Sequence, residues 1–148
     1  YVYNKGQALI VDIPGLPANN IYKYGSLAIV PWYDGLWWVG SSYENEFDTT
    51  DPTTVFREGM TKELSNVLCI PFTVIDHVAS LRPATLERRP FVGLHPQYKS
   101  IGIFNGMGTK GCSLAPYFAK QFSDYLLHGK ALDALADIKR FNRMLSNN

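Results

Sequence analysis

Through roughly the first hundred residues, apolar positions come in short β-branched or aromatic runs cut by turn residues, whereas in the last forty or so they recur every three or four positions. Short runs closed by Pro, Gly or Asp-Gly read as strands, and the longer period reads as helix. Residues 7–13, QALIVDI, make one such run, and Pro14-Gly15 stops it, which predicts a strand. Residues 22–32 and 36–43 make two more, joined by Tyr33-Asp34-Gly35. Asp-Gly is a strong tight-turn pair, so these two runs predict a hairpin. Asp51-Pro52 predicts a helix start, because Asp accepts from free amides of the first turn and Pro fits the first helical position. Phe56, Met60, Leu64, Val67 and Leu68 follow at helical spacing and give one apolar face, ending before Pro71. Residues 72–81 return to β character, and residues 90–94 and 100–104 predict shorter strands. A second helix is predicted from near Ser113, with Leu114, Tyr117, Phe118, Phe122, Tyr125 and Leu126 as its stripe and His128-Gly129 as its close. A third is predicted over residues 131–145, with Leu135, Ile138, Phe141 and Leu145 inward. The order implies an α+β fold: a mainly antiparallel or mixed sheet, one helix inserted among the strands, and two C-terminal helices.

Length adds one bound. At 148 residues the chain can bury one core, so a single domain over residues 1–148 is expected. It opens on Tyr1-Val2-Tyr3-Asn4-Lys5-Gly6 without an initiator Met, and is expected to be part of a longer protein. With 46% hydrophobic and 18% charged residues it is globular, and an aromatic share of 14% adds apolar surface for core or pocket. Fourteen basic residues against 13 acidic ones, with no block of like charge, lack the footprint that a phosphate backbone requires, so nucleic acid is not an expected partner. No apolar run is long enough to span a bilayer, and no signal-peptide pattern opens the chain; a cytoplasmic location is expected. Cys69 and Cys112 stand alone, without a His or Cys cluster, so they predict no metal site and are expected to be reduced and buried.

Two stretches carry candidate chemistry. In residues 100–119, SIGIFNGMGTKGCSLAPYFA, the glycines Gly106, Gly108 and Gly111 fit GxGxxG between a predicted strand and a predicted helix. Glycines there let the backbone approach a bound group, and the free amides of the helix start favour negative charge. A dinucleotide fingerprint also needs a further strand and an acidic residue about 20 positions on, whereas here the chain continues into another predicted helix. A nicotinamide site and a structural glycine turn remain alternatives. In the second stretch, Leu81-Arg82-Pro83-Ala84-Thr85 precedes Pro90-Phe91-Val92-Gly93-Leu94-His95-Pro96. An Arg at a strand end, fixed before Pro, offers a planar fork for a carboxylate, or else one half of a structural ion pair. His77 and His95 read as strand and turn residues rather than ligands.

Taken in order, Lys5-Gly6-Gln7, Val30-Pro31, Asp34-Gly35, Val39-Gly40-Ser41, Leu81-Arg82-Pro83-Ala84-Thr85, Pro90-Phe91-Val92-Gly93 and the segment 106–116 resemble the D-amino-acid oxidase family of flavoproteins, which includes glycine oxidase and sarcosine oxidase. The resemblance runs from Lys5 to about His128. It implies a two-part enzyme whose N-terminal Rossmann-like half, carrying the main FAD fingerprint, lies outside these residues. The present chain would be the substrate-binding part, about residues 1–98, running into an FAD-contacting strand, glycine loop and helices, about residues 99–148.

In that family a curved antiparallel sheet roofs the isoalloxazine ring, and the glycine loop lies under it with the helix dipole aimed at the pyrimidine side, where reduced flavin is negative. The resemblance therefore implies FAD contacts from Asn105, Gly106, Met107, Gly108, Thr109, Lys110 and Gly111, and substrate contacts from Arg82, Tyr43 and Lys110. Arg82 would hold the carboxylate of a small amine or amino acid. Hydride transfer to FAD would yield an imine for water to hydrolyse, with no general base and no metal assigned; this chain alone would hold little FAD. Trp32, Tyr22 and Tyr24 are further candidates for the pocket wall. Two places depart from the family pattern. The loop reads Met107-Gly108-Thr109-Lys110 where some relatives place a basic residue, and Arg88 and Arg89 stand where many have an acid before the Pro. A non-catalytic binding module, with the aromatic strands of residues 22–43 as a partner surface, is the other reading.

Overall fold

The computed structural model describes residues 2–85, 87 and 89–146. The chain divides into two compact units, Tyr3–Arg82 and a second made by Val2 with the residues from Pro83 onward.

The first unit is built on β1 (Val2–Asp12), β2 (Tyr22–Tyr24), β3 (Leu27–Pro31), β4 (Trp37–Gly40) and β5 (Thr73–Ala84), which form a five-stranded sheet in the order β2-β3-β4-β1-β5. Sequence neighbours β2, β3 and β4 pair antiparallel, and β4 then pairs antiparallel with β1, matching Ala8 with Gly40 and Ile10 with Trp38. The expected hairpin is present between β3 and β4, with its turn at Tyr33–Gly35, where Asp34 (φ 56°) and Gly35 (φ 75°) take the left-handed region. Its first arm differs from expectation. The run over residues 22–32 doubles back at Gly25, so Tyr24 faces Leu27 and the single expected strand becomes β2 and β3.

Helix α1 (Thr54–Val67) crosses one face of this sheet. It starts two residues later than Asp51-Pro52 suggests. Thr53 is the cap, its hydroxyl accepting from the Phe56 amide at 3.4 Å, while the Gln7 side chain accepts the Thr53 amide at 2.7 Å. A sheet residue thus fastens the helix start. Leu64, fully buried, meets Leu9, Val11, Ile29, Trp37 and Val39, and Phe56, Met60, Val67 and Leu68 pack around that core as their spacing predicts.

The second unit holds β6 (Phe91–Leu94), paired antiparallel with β7 (Gly102–Asn105), and α2 (Gly111–His128), which ends at Gly129 with that residue's amide on the Tyr125 carbonyl at 3.0 Å. Val92, Phe118, Leu132 and Ala136 are its buried core. Tyr117 and Leu126, expected in the inward stripe of α2, are instead 56% and 54% exposed. The third expected helix is mostly absent. Residues 131–137 run as a strap along β6, bridging Asp137 to Val92, and only a 3-10 turn (Ile138–Phe141) and the single-turn α3 (Asn142–Leu145) are helical. The cause is local: the Asp133 and Asp137 carboxylates accept the amides of Leu135 and Lys139, each at 2.8 Å, and the Ala136 carbonyl accepts the Val92 amide at 2.9 Å. The two cysteines are free but exposed, not buried as expected; Cys69 lies just past the end of α1 and Cys112 lies in the first turn of α2. The class is α+β with antiparallel sheets, as the apolar pattern implied.

Leu64→Ala leaves a cavity under α1 with no exposed surface to relax into, and should destabilise the chain by about 2–5 kcal/mol in urea denaturation.

Candidate functional site

The first candidate site grows from polar residues in a strand that has no water to serve them. Asn4, Lys5 and Gln7 of β1 are at most 1% exposed, so their donors and acceptors must find partners within the protein. Lys5 Nζ donates to the Thr49 carbonyl at 2.9 Å. Gln7 Nε2 donates to Glu44 Oε1 at 2.8 Å and to Thr53 Oγ1 at 3.0 Å. Ser42 Oγ accepts the Gln7 amide at 2.9 Å and donates to Glu44 Oε1. Between the Ala8–Gly40 pair and the Lys5–Glu44 bridge the register slips by one residue, so the segment after β4 carries a bulge. The bulge turns Ser41 and Ser42 toward the end of β5.

There they meet Arg82. Its Nη1 donates to Asn4 Oδ1 at 2.9 Å and to the Ser42 carbonyl at 3.1 Å, and Nη2 donates to Ser41 Oγ at 3.0 Å. The guanidinium lies where a side chain on Gly6 would be, so any Cβ at position 6 would displace it. All three acceptors are neutral. Among the described residues no carboxylate lies within ion-pair distance of Arg82, and none accepts from Nε–H or the second Nη2–H, the two donors that form the side-on fork. The ion-pair alternative raised by the sequence therefore has no partner among those residues.

Two titratable groups beside this cluster are displaced from their ordinary values. Burial pushes the Glu44 carboxyl up, but hydrogen bonds from Ser42 and Gln7, with the charges of Lys5 and Arg82, outweigh it and hold the group below 4.5. His77, stacked on Phe56 with ring centroids 5.4 Å apart, is held below 6.5 by burial, then by Arg57 and Lys5, against the pull of Asp76. Its Nε2 is buried without a partner among the described residues, as suits a neutral ring packed in a strand. His95 has the expected turn role, its Nδ1 accepting the amides of Gln97 and Tyr98, each at 3.2 Å.

The second candidate site is the glycine loop, in the other unit. Asn105 closes β7 and its side chain accepts the Gly106 amide at 2.7 Å. Gly106 (φ 80°) passes so close to Thr85, Arg89 and Phe91 that a Cβ would stand 2.8 Å from the Arg89 carbonyl. Gly108 (φ 59°) faces open space, whereas Gly111 is already helical at φ −52°. The three glycines of the motif therefore do different things: close approach, backbone hand, and helix start. A turn at Gly108–Lys110 leads into α2; the Gly111 amide donates back to the Gly108 carbonyl and no side chain caps the helix, which leaves the positive end of the dipole for an anionic or electron-rich group. No strand follows α2 among the described residues, so the βαβ context of a nicotinamide site is not found there.

The predicted residues thus fall into two groups. Arg82 and Tyr43 belong to the first unit, Tyr43 being exposed beside the Ser41 and Ser42 that hold Arg82. Asn105, Met107, Thr109 and Lys110 belong to the second with the glycines; Lys110 is exposed, and Met107 packs against the Val92 core. Trp32 and Tyr24 are exposed, and Tyr22 instead packs on Trp37. Arg88 lies outside the described residues; Arg89 is exposed, its carbonyl accepting from Thr85 Oγ1 at 3.1 Å. Asn4, Ser41, Ser42 and Glu44 were not anticipated. The available signal was the polar triplet Asn4, Lys5 and Gln7 at the head of an apolar strand.

Residues 2–125 match the family model described as DAO, FAD dependent oxidoreductase. Among solved structures the chain is similar to iminodiacetate oxidase from Chelativorans sp. (TM-score 0.64, 22% identity, 89% of this chain and 37% of that one). It is similar also to glycine oxidase from Geobacillus kaustophilus (0.66, 16%, 88% and 36%) and to L-proline dehydrogenase from P. horikoshii (0.68, 20%, 96% and 40%). The chain spans 36–40% of the length of these solved chains. No helix of the described residues is long and apolar enough to cross a membrane.

Two predictions follow from this geometry. Gly106→Ala should cost roughly 2 kcal/mol or more, since it adds a left-handed residue and a backbone clash, while Gly111→Ala should be neutral or mildly stabilising in the same thermal melts. Because the folded Glu44 carboxyl titrates below its unfolded value, its stabilisation is present above pH 4.5 and is lost as pH falls through the lower folded value. Stability curves of the wild type and Glu44→Gln should therefore differ near neutrality and converge in acid.

Proposed function

Since the chain belongs to the family of FAD dependent oxidoreductases of the DAO type, we propose that it forms the substrate side of an enzyme oxidising a small amine or amino acid. The observation that carries this reading is Arg82: a cation fixed by three neutral acceptors, with its side-on fork unclaimed by any described residue. Neutral acceptors orient a guanidinium without cancelling its charge, which is what gripping a carboxylate requires. Tyr43 and Lys110 are the further substrate contacts in this reading.

The residues present fit FAD at the glycine loop. Space is open at Gly108, no side chain caps the start of α2, and Asn105 holds the turn, so Asn105, Gly106, Met107, Gly108, Thr109, Lys110 and Gly111 would make this chain's FAD contacts. The flavin, when bound, supplies the two-electron acceptor for the substrate's C–H bond. The chain's own part is to orient: Arg82 fixes the carboxylate, and the helix dipole of α2 offers positive potential to a negative ring. The division of labour follows the resemblance, with residues 1–98 on the substrate and residues 99–148 on the cofactor, the remaining FAD contacts coming from other parts of the enzyme. The chain's share of the solved structures supports that last point. A cytoplasmic setting belongs to the same reading.

In the FAD-loaded enzyme that contains this chain, Arg82→Lys should raise KM for a carboxylated amine by roughly ten- to a hundredfold, about 1.5–3 kcal/mol, because an ammonium cannot reproduce the two parallel bonds. Steady-state kinetics and a melt on the same variant decide the matter. A lowered Tm with unchanged KM would make Arg82 a purely structural clamp.

A further inference from the structure

The sheet of the first unit has a second face, and its side chains shrink toward Arg82. The face follows from the period of two along a strand. The guanidinium occupies the side-chain space of Gly6, so Gly6, Ala8 and Ile10 share that face, opposite the Leu9 and Val11 that pack with α1. Cross-strand pairs extend it into two parallel rows. Ala28, Gly40 and Ala8 lie directly opposite one another on β3, β4 and β1, and the next row is Val30, Trp38 and Ile10. The rows stand about 6.6 Å apart, two residues along the strand. Nearest Arg82, then, three adjacent strands carry nothing larger than a methyl group, while one row farther the side chains enlarge to an isopropyl, an indole and a sec-butyl group; Ala8, Gly40 and Ile10 are buried, and Ala28, Val30 and Trp38 are half-buried. Trp38 and Ile10 continue into a depression of about 430 Å³ that also takes in Trp32, Leu36, Ile75 and Val78, with Tyr33 and the carboxylates of Asp34 and Asp76 at its margin.

The geometry points to this trough as the subsite for the substrate's side chain. The subsite rests on the reading of Arg82 as the carboxylate anchor, and it narrows the substrate class. A carboxylate on the guanidinium places the neighbouring carbons over a floor of hydrogen and methyl groups, against the apolar side chains of Val30, Trp38 and Ile10. That shape takes an α-amino or imino acid with a bulky apolar or cyclic side chain, and leaves glycine without contacts. Position 40 cannot be enlarged to fill the trough, because a Cβ there would sit 3.1 Å from both the Ala8 methyl and the Gln7 carbonyl; Ala28, half-buried on β3, can.

The test uses the FAD-loaded enzyme containing this chain and a panel of glycine, alanine, leucine, phenylalanine and proline, the chiral ones in both configurations. Wild type should show kcat/KM for the best bulky substrate at least about tenfold above that for glycine. Ala28→Phe should shift that ratio at least about tenfold toward glycine. Perturbation of the flavin spectrum by phenylacetate relative to acetate gives a binding readout independent of turnover, and the variant should lose the preference for phenylacetate. If Ala28→Phe fails to fold, Ala28→Val is the smaller step and should move both ratios in the same direction. Wild type preferring glycine, or a variant that lowers all substrates equally, overturns the trough. Arg82→Lys separates the two levels. If it raises KM across the whole panel while Ala28→Phe leaves the ratios unchanged, or if no amino acid of the panel is turned over, only the trough fails; if it leaves every KM unchanged, the anchor itself is wrong.

Discussion

Everything around Arg82 depends on one constraint: the head of β1 is polar and buried. Asn4, Lys5 and Gln7 carry amides and an ammonium into a place without water, and an unsatisfied group there costs more than most single contacts return. Their partners come from three separate segments, the bulge at Ser41 and Ser42 with Glu44, the loop at Thr49 and Thr53, and the end of β5 at Arg82. The same bonds that satisfy β1 therefore set the start of α1, the path of the bulge and the pose of the guanidinium. A network of this kind specifies one arrangement, because each member left alone would be penalised. Gly6 belongs to it by what it lacks.

How much of this could be read from the chain alone follows from which interactions have a sequence period. Leu64 and its neighbours, the Asp34-Gly35 turn and Gly129 announce themselves locally, and the structure has them in place. Residues 131–137 have helical spacing as well, yet Asp133 and Asp137 spend their carboxylates on nearby amides and the backbone pairs with Val92, so a tertiary bond and two side-chain turns override the period. Lys5-Gly6-Gln7 and Val39-Gly40-Ser41 stood out only through the family resemblance, and Arg82 as an Arg at a strand end fixed before Pro. The bonding of Asn4, Ser41 and Ser42 to Arg82 was not legible, since it arises only through a register and a bulge that no pattern of residue types encodes.

The glycine motif shows the converse. Its spacing was legible, and its placement between β7 and α2 is as expected, but spacing treats three glycines alike. The backbone separates them: Gly106 is required by the neighbouring carbonyl, Gly108 by its φ alone, and Gly111 by neither. A match to such a motif thus says where a close approach occurs without saying which position enforces it.

The strap along β6 has a consequence for how the chain behaves in company. A short pair such as β6 and β7 presents an outer rim of amides and carbonyls that another polypeptide could extend, the usual route from an open sheet to aggregation. In β6 the central outward amide, that of Val92, is already held by Ala136, with Asp137 continuing the bridge beside it. The Asp residues that deny this segment a helix, with the Asp137 carboxylate set beside that rim, thereby make it a gatekeeper: an intruding strand would have to displace a bonded neighbour and approach its negative charge.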